Sequence, residues 1–155
     1  MFAIPQPLHP ALIHFPIVLI FLGFGAAVLS LFTNRWNIRI WTVVLLVLAA
    51  IGTMAATWTG GEARHALGNL PPATSQLIHE HGEWGETTRN LAIAAAVLAV
   101  VGFLFKSSPL VALAFRFLVL IVALIATLSV IQTGRLGGEM VYHHAVGISQ
   151  DAASQ

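Results

Sequence analysis

The sequence contains no cysteine, and only 8% of its 155 residues are charged. Without cysteine the chain can form no disulfide, no thiolate metal site, no cysteine-ligated iron–sulfur cluster and no covalently attached c-type haem. The scarcity of charge excludes an ordinary soluble surface, because globular chains average about 25% charged residues. Seven basic residues against six acidic ones leave a net charge of +1, so there is no electrostatic footprint for nucleic acid. The start, Met1-Phe2-Ala3-Ile4-Pro5, lacks the basic region and small-residue cleavage site of a removed signal peptide. The first apolar segment is therefore expected to stay in the protein. No phosphate-binding loop and no nucleophile–base–orienter set is visible, which favours an electron-transfer or binding protein over a hydrolase or transferase.

What the chain does have is apolar length. Hydrophobic residues make up 57% and the mean hydropathy is +0.86, which reads as a multi-pass membrane protein. The expected architecture is all-α, a single integral membrane domain over residues 1–155 built as a four-transmembrane-helix bundle from two helical hairpins. The spans are read at about 11–32, 38–57, 87–105 and 110–132, with a polar loop over 62–86 and a polar tail over 145–155. Pro10 suits a first helical turn, which puts His9 near the N-cap. Pro16 removes the bond to the Leu12 carbonyl and predicts a kink that opens room beside His14. The pair Gly60-Gly61 is read as the end of the second span.

Four spans place both termini on one side. The two tight turns carry Arg35, Arg39, Lys106 and Arg116, and the opposite side carries Arg64, Arg89, Arg135 and all six acids. Counting basic residues in short loops puts the tight turns in the cytoplasm and both termini outside. All seven histidines then share the outer face with the termini. A weak repeat pairs the halves: His14 followed by Thr59-Gly60-Gly61-Glu62, and His81 followed by Thr133-Gly134 and Gly137-Gly138-Glu139. Two hairpins related by an axis along the membrane normal would bring His14 and His81 to matching depths.

The opening His9-Pro10 with His14-Phe15-Pro16, and the closing Gly137-Gly138-Glu139-Met140-Val141-Tyr142 with His144, carry a resemblance. So, more loosely, does His81 with Gly85-Glu86. At these motifs the chain resembles a family of bacterial four-helix membrane proteins catalogued only as a domain of unknown function, number two-two-three-one. The resemblance covers nearly the whole chain and implies a bacterial plasma-membrane location. Some relatives are fused to Rieske-type iron–sulfur modules, which implies a redox partner, Rieske-type or cytochrome, on the histidine face. The family name asserts no activity. In the tail His143 competes with His144 for the matching position, and His79 competes with His81.

The histidines are the chemistry on offer. Haem iron accepts two axial imidazoles, and a bundle of facing helices is a common place to hold them. The first expectation is haem b, one or two per chain, for electron transfer. His14 and His81 are read as one ligand pair, and His9 and His144 as a second pair or as groups that orient the first. His79 is a further candidate, and Arg64, Arg89 and Arg135 lie at a depth suited to haem propionates. On this reading, replacing His14 by alanine should remove haem absorbance. The alternative is a divalent or copper ion held by His9, His14, His81 and His144 for sensing, storage or transport. A third class is a non-catalytic subunit that docks a redox partner, and a homo-oligomer stays open. Against these stand plainer readings: His65 and His143 as solvated residues, Met54 as packing, and Trp36, Trp41, Trp58, Trp84 and Tyr142 as interfacial belts. Gly23, Ala27, Gly52, Ala56, Ala92, Ala96 and Ala99 recur at the spacing of close helix contacts.

Overall fold

A computed structural model describes residues 9–33, 35–105 and 108–146. The expectations placed on Met1 to Pro5, on Asn34, Lys106 and Ser107, and on the tail from Gly147 onward lie outside the described residues. The chain forms a short helix α1 (His9–Leu12) and then α2 (His14–Phe32), α3 (Trp36–His65), α4 (Pro72–Leu104) and α5 (Pro109–His144). Together they give four helices long and apolar enough to cross a membrane, α1 and α2 counting as one. In a bilayer every backbone N–H and C=O must be satisfied within the segment, and these long helices achieve that.

The helices pack as a closed square. α2 lies against α3, α3 against α4, α4 against α5, and α5 closes on α2, while α1 folds onto α3. Its interior is built from small side chains: Ala27, Leu46, Ala50, Ala95, Ala96, Ala99, Val119 and Ala123 form one core cluster. Leu19, Ile20, Ala49, Ala126 and Val130 form another. Large side chains such as Phe21, Leu22, Val97, Ile121 and Leu128 are exposed, as a lipid-facing surface requires. Lipid tails are as apolar as leucine, so the helices gain by close van der Waals approach rather than by hiding oil from water. A Cβ on Gly23 would meet Leu46 at 2.7 Å, and one on Gly52 would meet Pro16 at 3.0 Å.

The interruption expected from Pro16 beside His14 is present, at Ile13, a turn residue between α1 and α2. Pro16 has no N–H for Leu12, and the chain bridges the gap with the bonds Ile13 N–H to His9 O and Ile17 N–H to Ile13 O, at 3.1 and 3.3 Å.

The polar loop over 62–86 is a correction. α3 runs through Gly60-Gly61 to His65, and α4 starts at Pro72, so only six residues connect them. The fourth span likewise continues past 132, through Gly134, Gly137 and Gly138, to His144. At 1.5 Å per residue these helices reach about 45–54 Å, well beyond the ~30 Å hydrocarbon core. The polar sequence is therefore helical extension on the histidine side. A glycine costs a helix about 1 kcal/mol, and packing against α1 and between α4 and α5 overrides that here. α5 ends where Ala145 turns left-handed, at φ 50°, and Val146 N–H donates to the Met140 carbonyl.

Candidate functional site: an imidazole pair across the two hairpins

Because α1 folds onto α3, His9 reaches the second helix of its own hairpin. Its Nδ1 lies 2.9 Å from the carbonyl of Ala56 and 3.4 Å from Thr59 Oγ1. A Cβ on Gly60 would come within 3.1 Å of the His9 ring, so the absence of a side chain there gives the imidazole its seat.

The second hairpin repeats this arrangement. His81, in the water-side extension of α4, has Nδ1 3.0 Å from the carbonyl of Thr133 on α5. A Cβ on Gly137 would come within 3.2 Å of its ring. In both hairpins the accepting carbonyl stands four residues before the glycine, at Ala56 and Gly60 and at Thr133 and Gly137. One helical turn thus carries an acceptor and a flat seat on the same face. The repeated motif therefore relates His9 to His81 and Gly60 to Gly137, where the sequence repeat puts His14 opposite His81.

The two rings come close to one another across the hairpins. Their centroids are 6.4 Å apart and their planes are inclined at 89°. A carbonyl oxygen can only accept a hydrogen bond, so each neutral ring carries its proton on Nδ1 and keeps a lone pair on Nε2. Neither Nε2 has a hydrogen-bond partner among the described residues. Among those residues Arg116 Nε is the sole fully enclosed, unpartnered side-chain nitrogen or oxygen, so both Nε2 atoms retain an opening. An imidazole held through Nδ1–H from behind, with Nε2 free, is in the tautomer that protein histidines use when they bind a metal.

Beneath His81 runs a set of hydroxyls that the sequence reading did not single out. Thr88 Oγ1 lies 2.8 Å from Ser129 Oγ and 3.2 Å from Thr133 Oγ1, and donates to the Trp84 carbonyl or to one of these in turn. Thr88 and Ser129 are buried. These contacts tie α4 to α5 directly under the carbonyl that holds His81. Threonine inside a helix usually bonds its own backbone, so nothing in the sequence alone marks Thr88 as a cross-helix contact.

The remaining candidates fall elsewhere. The rings that the structure brings close together are those of His9 and His81, while His14, read in the sequence as the partner of His81, opens α2 on an exposed surface. His144 is also exposed and shares a 3.1 Å hydrogen bond with Thr74 Oγ1. His79 faces solvent beside Glu83, 3.2 Å away. Arg64 lines a polar hollow with Asn69 and Ser75 beside the short connection between α3 and α4. Arg89 bonds Asn90 and Arg135 is exposed; neither contacts the imidazole pair. No group of three or more His, Asp or Glu side chains converges on a common point among the described residues.

A family model described as "Predicted membrane protein (DUF2231)" matches residues 5–150, nearly the whole chain. No curated protein and no solved structure matches it.

Proposed function

The chain belongs to the DUF2231 family of predicted membrane proteins, and on that footing we infer that it binds haem b between His9 and His81 and passes single electrons. The observation that carries this reading is the imidazole pair itself. Two rings from opposite hairpins, their centroids 6.4 Å apart, each donate Nδ1–H to a helix carbonyl, each rest on a glycine, and each leave Nε2 without a hydrogen-bond partner. Two imidazoles ligating one metal in line, each nitrogen about 2 Å from it, have ring centroids on the order of 6 Å apart.

The donor set favours haem over a bare ion. Structural zinc asks for four protein ligands and catalytic zinc for three, whereas haem brings four nitrogens and needs only two axial partners from the protein. His9 and His81 would hold the iron, and the haem would supply a one-electron couple. A copper or divalent ion shared by the same two nitrogens is the competing occupant. In a bacterial plasma membrane, the excess of basic residues in the tight turns favours the imidazole pair on the outer side. A soluble or tethered redox protein could meet it there.

The deciding experiment is the visible spectrum of the detergent-purified protein, oxidised and dithionite-reduced, with metal analysis of the same sample. A Soret band and a sharp reduced α-band at one haem per chain support the proposal. A colourless protein made with ample haem supply overturns it, and stoichiometric copper or zinc in that sample would assign the pair to an ion.

A further inference from the structure

The opposite end of the bundle holds a second polar feature. Arg39, near the start of α3, reaches across to α4. Its Nη2 donates to the Gly102 carbonyl at 3.3 Å, and its guanidinium lies 5.7 Å from the centre of the Phe103 ring. Arg116, in the second turn of α5, sends Nη1 3.1 Å to the Ser30 carbonyl of α2. Both carbonyls belong to last turns, where helix C=O groups lack intrahelical partners, so part of each arginine's task is to cap a neighbouring helix.

Capping does not account for the rest of these side chains. Each guanidinium has five donors, and Arg116 Nε is fully enclosed with no partner. The two arginines share the wall of one cavity of about 30 Å³ with Ser30, Thr42, Phe103 and Phe115. A cavity of that size admits one or two water-sized groups. The hydroxyls of Ser30 and Thr42 donate back to their own helices, to Ala27 and Ile38, so they present acceptors rather than a counter-charge. Glu62, Glu80, Glu83, Glu86 and Glu139 all lie in the histidine-side parts of α3, α4 and α5. Two cations therefore share a partly desolvated cavity with no carboxylate among the described residues to balance them, which is costly unless an anion enters.

We propose that Arg39 and Arg116 form a binding site for a phosphate-type oxyanion at the membrane surface opposite the imidazole pair. Arginine donors in a fork match phosphate oxygens, and one or two such oxygens fit the cavity that the Arg39 and Arg116 side chains line, within reach of their remaining Nη donors. The rim is aromatic: Trp36 packs on Phe103 with ring centroids 4.8 Å apart, and Phe105 stacks on Phe115 at 6.5 Å. That rim suits the depth of a lipid headgroup, where aromatic rings concentrate. The phosphate of an anionic phospholipid and free phosphate offer the same chemistry.

The test measures thermal unfolding of the full-length protein in nanodiscs, followed by circular dichroism. Discs of phosphatidylcholine alone are compared with discs containing phosphatidylglycerol, and with phosphatidylcholine discs in millimolar inorganic phosphate. Phosphatidylglycerol should raise the melting temperature of the natural protein by about 5–10 °C, and the double variant Arg39→Gln, Arg116→Gln should lose that rise. The same rise with inorganic phosphate would assign the site to the free ion, with a lipid phosphate as one of its sources. Native mass spectrometry gives a second readout, in which Arg116→Lys should retain phosphatidylglycerol about tenfold less well because the fork is gone. Equal melting temperatures of the natural protein in all three conditions, or an undiminished rise in the double variant, would overturn the proposal.

Discussion

His9 and His81 meet as rings 6.4 Å apart although 72 positions separate them in sequence, and each is held from behind by a carbonyl of its own hairpin. Neither ring is positioned by the other. Each hairpin orients its imidazole independently, and the packing of α4 on α3 and of α5 on α2 brings the two together.

The first prediction separates this pair from the other histidines. His9→Ala and His81→Ala should each abolish the haem absorbance of the purified protein, while His14→Ala and His79→Ala should leave it intact. Pyridine haemochrome assay of the four folded variants checks this. Haem loss in His14→Ala with retention in His9→Ala would reverse the assignment.

The glycine seats give a second prediction. A methyl at Gly60 or Gly137 would stand 3.1–3.2 Å from an imidazole atom, closer than ordinary contact, and the ring has to shift. Gly137→Ala should weaken haem retention and move the low-temperature electron paramagnetic resonance signature of the oxidised protein. Gly61→Ala, where a Cβ meets nothing within 4 Å, should do neither.

A third prediction concerns packing. At Gly102 an added Cβ would meet Phe115 Cβ at 2.5 Å, whereas at Gly23 the nearest atom is the terminal Leu46 Cδ2 at 2.7 Å. The leucine tip can rotate away and the Cβ of Phe115 cannot move without its helix. Gly102→Ala should therefore destabilise the bundle by about 1–3 kcal/mol, and Gly23→Ala by clearly less. Equilibrium unfolding in mixed micelles would compare them.

The hydroxyl set under His81 supplies a fourth. Thr88→Val deletes bonds to Ser129 and Thr133 in a buried place. Interhelical hydrogen bonds in membranes average about 0.6 kcal/mol and reach about 1.7, so a loss of about 1 kcal/mol is expected. A double-mutant cycle with Ser129→Ala should return a coupling energy of that order, and zero coupling would show that the contact contributes nothing.

Orientation supplies the last. Because the natural chain has no cysteine, single cysteines report cleanly. Gln76→Cys, on the exposed water-side extension of α4, should react in intact cells with a thiol reagent that does not cross the inner membrane. Ser108→Cys, at the tight turn, should react only after the cells are opened. The opposite pattern would invert the protein.

The membrane class, the number of spans and the hairpin order were legible in the sequence, because apolar runs of membrane length leave no other way to satisfy the backbone. The small-residue faces were legible for a related reason: glycine and alanine at four-residue spacing point to one side of a helix, and Gly23, Ala27, Gly52, Ala92, Ala96 and Ala99 are indeed buried. The gathering of histidines at one end followed from counting spans. Which histidines meet did not. His9 lies outside the apolar run and His14 inside it, so sequence favoured His14. The break at Ile13 and the folding of α1 onto α3 decided for His9. Polar residues 72–86 read as loop because propensity and hydropathy cannot see the neighbouring helix that supports them. Local chemistry determined that the chain has four membrane-spanning helices with its imidazoles at one end; only the packing of two hairpins, through contacts far apart in sequence, selected the two rings that meet.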